Sequence, residues 1–305
     1  MSKKTTTKEM RPKIIAVVGP TASGKSDLAV EIALQFDGEV VSVDSRQVYR
    51  GLDIGSGKIT EDEMRGVPHH LLDVADPKGV FTAADFTQMA QSAVVDILER
   101  SKLPIIAGGT GFYLSAFLGE TSLPEVEPNM KLREVLEKLS KEELLERLLE
   151  LDQARAETID QSNKSRLVRA IEIAEALGSV PRPKQDCPYG ALKIGIDLPD
   201  DVLKDKIHRR LLSRMEEGML EEAERLHEEG VSWERMEQLG LEYRYMARHL
   251  QGLISREEML AELEQKIWQY AKRQRTWFKR DKDIKWFSPQ DIKEVLRTVD
   301  EFMEE

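Results

Sequence analysis

Short apolar runs, each closed by a polar or glycine-rich turn, punctuate the first third of the chain. Ile14–Val18 is one, Val40–Val43 a second that ends at Asp44, and Leu103–Ala107 a third that ends in Gly108-Gly109-Thr110-Gly111. Continuous apolar runs predict strands covered on both faces, as in a parallel sheet. Residues Asp27–Phe36 and Ala83–Arg100 carry helical spacing between them, which predicts strand–helix units. All three runs end in residues able to do chemistry, and in open α/β sheets that edge is where ligands bind.

The pattern changes near Thr121. Leu123-Pro124 and Glu127-Pro128 break it, and from about Lys131 to Leu177 the apolar positions (Leu132, Leu136, Leu139, then Leu144, Leu148, Leu151) follow a helical period. Pro181-Arg182-Pro183 and Cys187-Pro188 end that stretch, Ala191–Leu198 reads as a strand again, and Asp200–Arg280 is helical. The chain therefore divides into a polar tail over 1–12, an α/β core over 13–120, an all-helical insertion over 121–185, and a return to the core with C-terminal helices over 186–305.

Composition narrows the picture. The 305 residues are 40% hydrophobic and 33% charged, with no apolar run of membrane-spanning length. Met1–Pro12 lacks the apolar segment of a secretory signal. The single cysteine, Cys187, excludes an internal disulfide and a cysteine-based zinc site, and points to the cytoplasm. The net charge of −11 argues against a uniform nucleic-acid binder. The acidic excess sits in Lys141–Glu150 and Glu216–Glu229, however, while basic residues gather from Lys272-Arg273 to Lys279-Arg280. A local basic surface on an acidic protein fits that distribution.

The first strand leads into Gly19-Pro20-Thr21-Ala22-Ser23-Gly24-Lys25-Ser26. This is G-x-x-x-x-G-K-S at a strand-to-helix turn, the arrangement in which loop amides and a helix N-terminus cradle a phosphate chain. Lys25 reaches the outer phosphates and Ser26 suits a magnesium ion. The fold class follows: a phosphate-loop, NTPase-like parallel sheet flanked by helices, with an all-helical insertion.

Asp44 opens the polar run Asp44-Ser45-Arg46-Gln47-Val48-Tyr49-Arg50-Gly51-Leu52-Asp53-Ile54-Gly55. A strand-end Asp beside a phosphate loop reads as a magnesium ligand, as a general base, or as a capping residue. Gly108–Gly111 offers a tight turn with the Thr110 hydroxyl. His69-His70 suits a structural or substrate-loop role better than metal ligation. Asn163–Glu172 sets Arg166 and Arg169 on one helix face, suited to phosphate or to pairing with nearby Glu. On Ile267–Arg280, Ile267, Tyr270, Gln274 and Trp277 form a stripe for the core, and Lys272, Arg273, Arg275, Lys279 and Arg280 lie off it. Basic residues interleaved with aromatics suit a nucleic-acid surface, and equally the charged outside of a core helix.

Together these segments resemble the tRNA dimethylallyltransferase (tRNA isopentenyltransferase) family, bacterial type. The carriers are GPTASGKS, DSRQVYRGLDIGSGK from Asp44 to Lys58, PHHLLD from Pro68 to Asp73, GGTGFY from Gly108 to Tyr113, SRLVRAIEI from Ser165 to Ile173 and KRQRTWFKR from Lys272 to Arg280. The resemblance implies transfer of a dimethylallyl group from dimethylallyl diphosphate to N6 of the adenine just 3′ of the anticodon. It implies diphosphate binding by Gly19, Pro20, Thr21, Ala22, Ser23, Gly24, Lys25 and Ser26, with Mg2+ held by Ser26 and Thr21. Asp44, Thr110 and Lys25 are the implied catalytic residues. The implied tRNA contacts are Asp44, Ser45, Arg46 and Gln47, then Ser165, Arg166, Leu167, Val168 and Arg169, then Lys272, Arg273 and Gln274. A cytoplasmic monomer acting on the anticodon stem-loop, away from membranes, is expected. The chain departs from the family in two places: Leu241-Glu242 stands where Tyr-Lys or Tyr-Arg is usual, and Lys206 where an arginine is, leaving Lys206, Arg209 and Arg210 as candidates for the diphosphate. A phosphate-loop kinase acting on a small metabolite is the alternative.

Overall fold

The computed structural model describes residues 11–182 and 187–305. The tail read over 1–12, up to residue 10, and the last residues of the insertion read over 121–185 thus lie outside the described residues. The chain divides into two compact units, one reaching to Leu118 and resuming at Cys187, the other spanning Gly119–Asp186.

In the larger unit, β1 (Lys13–Val18), β2 (Gly38–Val43), β3 (His69–His70), β4 (Leu103–Gly108), β5 (Gly190–Ile196) and β6 (Lys285–Phe287) form one sheet in the order β3-β2-β4-β1-β5-β6. Every neighbouring pair is parallel, and Gly108 lies level with both Val18 and Val43, so the loops leaving β1, β2 and β4 share one edge. β3 and β6 lie outside the runs read as strands from the sequence. They have two and three residues, too few for a period to register.

Helices α1 (Lys25–Gln35), α2 (Glu61–Met64), α3 (Ala83–Glu99) and α4 (Gly111–Phe117) fall within the first segment of this unit. α1 begins two residues before the apolar pattern starts, so Lys25 and Ser26 sit in its first turn. A capping box between Thr82 and Asp85 starts α3. Side chains alternate along β1. Ile14, Ala16 and Val18 pack with Phe86, Ala90, Val94 and Ile97 of α3, while Ile15 and Val17 join Leu28, Ala29 and Ile32 of α1. Each such burial contributes about 1.5–3 kcal/mol, which is why the central strands admit no polar break.

The second unit holds α5 (Met130–Leu136), α6 (Lys141–Leu151), α7 (Gln153–Thr158) and α8 (Lys164–Leu177). Its core is built from Leu136, Leu144, Leu148, Ala156, Ile159, Leu167, Val168, Ala170 and Ile171. The larger unit then adds α9 (Asp200–Glu216), α10 (Met219–Glu228), α11 (Trp233–Gln238), α12 (Leu241–Leu250), α13 (Arg256–Phe278) and α14 (Ile292–Glu304). Val295 and Val299 of α14 join α1 on the sheet. α9, α10, α12 and α13 enclose a separate core around Val48, Tyr49 and Leu52.

α8 corrects part of the sequence reading. Leu167 and Val168, expected to touch tRNA, have their side chains in the core of the helical unit. Arg169 is not an open phosphate ligand: it pairs with Glu172 and donates to Val126 O at 2.7 Å. Arg166 pairs with Asp160 at 3.3 Å, and Ser165 is exposed.

Glu172 is almost fully buried, and it also takes two hydrogen bonds from Arg133, at 3.0 and 2.9 Å, and one from the Asn129 amide at 2.6 Å. Burial alone would push its pKa up. The bonds from Arg133, Arg169 and Asn129 outweigh that and hold it at about 2. A carboxylate depressed in the folded state lends stability that is complete above its unfolded pKa, near 4.3, and is lost as pH falls toward 2. Glu172→Ala should therefore destabilise the helical unit by about 1.5–3 kcal/mol, since it removes the shared acceptor of two arginines and the Asn129 amide. Denaturant melts should show this loss at pH 7 and a shallower dependence on pH between 4 and 2 than in the wild type.

Candidate active site

The loop after β1 runs from Gly19 to Gly24 and feeds directly into α1. Lys25 bonds within this loop only through a long 3.4 Å contact from Nζ to Pro20 O. Its ammonium is open to the cavity but walled by protein, so desolvation, with Arg210 adding repulsion, lowers its pKa to about 8. Ser23 is buried, and its Oγ has no hydrogen-bond partner among the described residues. It therefore belongs to the inside of the loop.

Asp44 follows the last residue of β2. Its Oδ1 accepts from the amides of Arg46, at 2.8 Å, and Gln47, at 3.3 Å, and so shapes the turn. Among the described residues Oδ2 takes no hydrogen bond. Gln47 is held at both ends of its side-chain amide, by Ser42 Oγ at 3.3 Å and by Gly57 O at 3.1 Å. The following loop has little regular structure and would leave buried amides unpaired. Glu222 of α10 supplies their partner. Its carboxylate accepts from Asp53, Ile54 and Gly55 N–H at 2.8–2.9 Å and from Tyr243 OH at 2.7 Å. Arg214 donates to Gly55 O and Arg210 to Gly57 O, each at 2.9 Å.

The turn after β4 lies against α13. A Cβ on Gly111 would come within 2.2 Å of the Trp277 ring, so this position must be glycine for α13 to pack here. Thr110 does not line the cavity. Its Oγ1 accepts from Ser45 N at 3.1 Å, which places it beside Asp44 and braces that segment. Gln274 lines the cavity and is largely buried, accepting from Thr21 N–H at 2.8 Å and donating to Gly109 O at 2.9 Å. Arg275 and Lys279 turn to Asp197 at 2.8 and 3.1 Å, whereas Lys272 and Arg273 remain exposed.

These loops and helices enclose a cavity of about 310 Å³. Thr21, Lys25 and Ser26 line it together with Asp44, Ser45, Arg46 and Gln47. Arg210 also lines it, while Lys206 and Arg209 do not, which separates the three candidates left open by the sequence. Arg209 is instead paired to Asp205 at 3.0 Å. Of the departing residues, Leu241 and Glu242 reach the cavity, and Glu242 lies 3.7 Å from Arg214. Arg273 and Arg244 complete the basic lining, Arg244 with its guanidinium paired to Glu237 at 3.2 Å. Such a lining favours an anionic ligand. The hydroxyls of Thr21 and Ser26 are oxygen donors of the kind Mg2+ takes, and both residues line the cavity. Sequence reasoning missed Glu222 and Arg214, and offered His69 a structural or substrate-loop role. His69 lines the cavity from β3, and burial lowers its pKa below the usual histidine value, so it is neutral at pH 7.

A family model described as IPP transferase matches residues 47–281. The chain belongs to the IPP transferase family. It is 43% identical over 281 residues to a tRNA dimethylallyltransferase 2 from Citrifermentans bemidjiense, covering 92% of this chain and 90% of that one. The solved full-length tRNA isopentenylpyrophosphate transferase of Bacillus halodurans superposes with a TM-score of 0.74 at 36% identity, over 96% and 97% of the two chains. A eukaryotic dimethylallyltransferase, solved acting on tRNA, gives 0.77 at 25% identity, over 91% of this chain and 74% of that one.

The lowered Lys25 pKa gives this IPP transferase family member a measurable signature. Above pH 8 the ammonium becomes neutral and its pull on an anion is lost. Calorimetric affinity for inorganic diphosphate, taken relative to Lys25→Arg, should fall about tenfold between pH 7 and 9, because arginine keeps its charge. A ratio that stays level would show that Lys25 does not face the anion.

Proposed function

We propose that this protein transfers a dimethylallyl group from dimethylallyl diphosphate to the exocyclic N6 of the adenine 3′-adjacent to the anticodon in tRNAs, releasing diphosphate. The observation that carries this reading is the meeting, in one cavity, of a phosphate loop with Lys25 and Arg210 and a carboxylate, Asp44, that keeps Oδ2 unpartnered among the described residues. Family membership supplies the reaction class. The relatives named above are transferases, and none is a metabolite kinase.

Each group has a physical task. The loop amides, Lys25 and Arg210 take up the negative charge that grows on diphosphate as its bond to the allylic carbon breaks. Thr21 and Ser26 would hold Mg2+, which when bound adds further charge to that end. The adenine amine is a weak nucleophile because its lone pair is delocalised into the ring. As the new C–N bond forms, its proton passes to Asp44 Oδ2. Reaching this cavity requires the base to leave the anticodon-loop stack, at a cost of a few kcal/mol. Arg46 and Arg273 line the cavity that would receive the base, and Lys272 and Ser165 are exposed and available to RNA phosphates.

Action as a monomer on the anticodon stem-loop is part of the same reading. Among the described residues no helix is long and apolar enough to cross a membrane. The cytoplasmic location is part of the same reading, since that is where the tRNA substrate lies.

Mass spectrometry of tRNA nucleosides, after incubation with the protein, Mg2+ and dimethylallyl diphosphate, should reveal N6-dimethylallyladenosine. Asp44→Asn keeps the turn-forming Oδ1 but loses the base. It should lower transfer by about 10²–10⁴-fold while tRNA affinity in a filter-binding assay stays within a few-fold. Near wild-type turnover in that variant would remove Asp44 as the proton acceptor.

A further inference from the structure

We infer that Gln274 is a positioning residue that fixes the phosphate loop against the carboxylate side of the cavity. The inference rests on the proposed transfer reaction and deepens it. Gln274 sits in α13, buried, and its amide touches two loops at once. Oε1 accepts from Thr21 N–H at 2.8 Å, and Nε2 donates to Gly109 O at 2.9 Å. From Gly109 the chain passes to Thr110, whose hydroxyl accepts from Ser45 N at 3.1 Å, next to Asp44. One side chain thus joins the loop that would hold the leaving group to the turn that would hold the base.

The chemistry of the amide explains why glutamine is needed. Thr21 presents a donor and Gly109 an acceptor, and a primary amide meets both in a single rigid plane. Glutamate would meet Thr21 but repel Gly109 O. Methionine fills the space and satisfies neither. The fit is close on the other side as well: a Cβ added at Gly109 would lie 2.2 Å from Gln274 Nε2. The Thr21 amide is also committed to Gln274, so it is not one of the loop donors left open to phosphate. Gln274 therefore decides which loop amides face the ligand. Because displacement of reacting groups by about 1 Å costs on the order of 10²-fold in rate, the link acts on the chemical step.

The test compares Gln274→Met and Gln274→Glu with the wild type, measuring kcat, KM for tRNA and for dimethylallyl diphosphate, and amide exchange at Thr21. For Gln274→Met, kcat should fall by about 10–100-fold with KM for tRNA within twofold and Thr21 protection lost. Gln274→Glu should keep Thr21 protected and still lose kcat, because only the Gly109 link breaks. A rise in KM for tRNA with kcat unchanged would make Gln274 an RNA contact and overturn the inference, as would Thr21 protection unchanged in Gln274→Met. If Gln274→Met fails to fold, Gln274→Glu and the pair Gly109→Ala with Gly109→Ala/Gln274→Ala decide. Gly109→Ala alone should lose kcat as its Cβ drives Gln274 aside, and removing the Gln274 side chain as well should produce no further loss; an additive loss counts against the link. A wild type that transfers nothing would sink the proposed reaction instead, and Thr21 exchange would still report on the link.

Discussion

A parallel sheet gathers its functional loops at one edge, and those loops carry backbone groups that no strand or helix satisfies. Leaving such groups buried and unpaired costs about 1–3 kcal/mol each. This structure meets that constraint with single side chains from the C-terminal helices. Glu222 takes three loop amides and a tyrosine hydroxyl. Arg214 caps a carbonyl of the same loop. Gln274 joins the loops after β1 and β4, and Arg275 binds Asp197 and Leu198 O after β5. The loops are thereby fixed without regular structure of their own, and their remaining groups face the cavity.

That arrangement explains what was legible in the sequence. β1, β2 and β4 are continuous apolar runs and announce themselves, as does the glycine-rich loop after β1. Glu222 does not. It stands in an acidic, amphipathic stretch that reads as a solvated face, and nothing within α10 marks one glutamate as buried. Only the packing of Tyr243 and the Asp53–Gly55 loop against it gives it a role. Gly109 and Gly111 were readable as part of a tight turn, yet their reason is the close approach of Gln274 and Trp277. The stripe of Ile267, Tyr270, Gln274 and Trp277 did point inward. The basic residues beside it then split: Lys272 and Arg273 stay exposed, while Arg275 and Lys279 turn to Asp197.

The same logic separates charge that serves structure from charge that serves a ligand. The chain is acidic overall, at −11, but the cavity is lined by Lys25, Arg46, Arg210 and Arg273, while Arg244 at its wall is paired to Glu237. In the helical unit the apparent phosphate site at Arg169 is cancelled by Glu172. Net charge and motif spacing see both cases alike. Burial and pairing distinguish them, because a cation already desolvated against a carboxylate has little left for a phosphate.

Asp44 shows how one residue can meet several readings at once. As a cap it needs only one oxygen, and Oδ1 supplies it to the amides of Arg46 and Gln47. Those bonds fix the carboxylate plane, which in turn fixes where Oδ2 lies. A proton acceptor gains from such fixing, since it need not be ordered when the base arrives. The capping role and the chemical role therefore support each other. The turn that the sequence offered as the plain alternative to catalysis is what would hold the carboxylate ready for it.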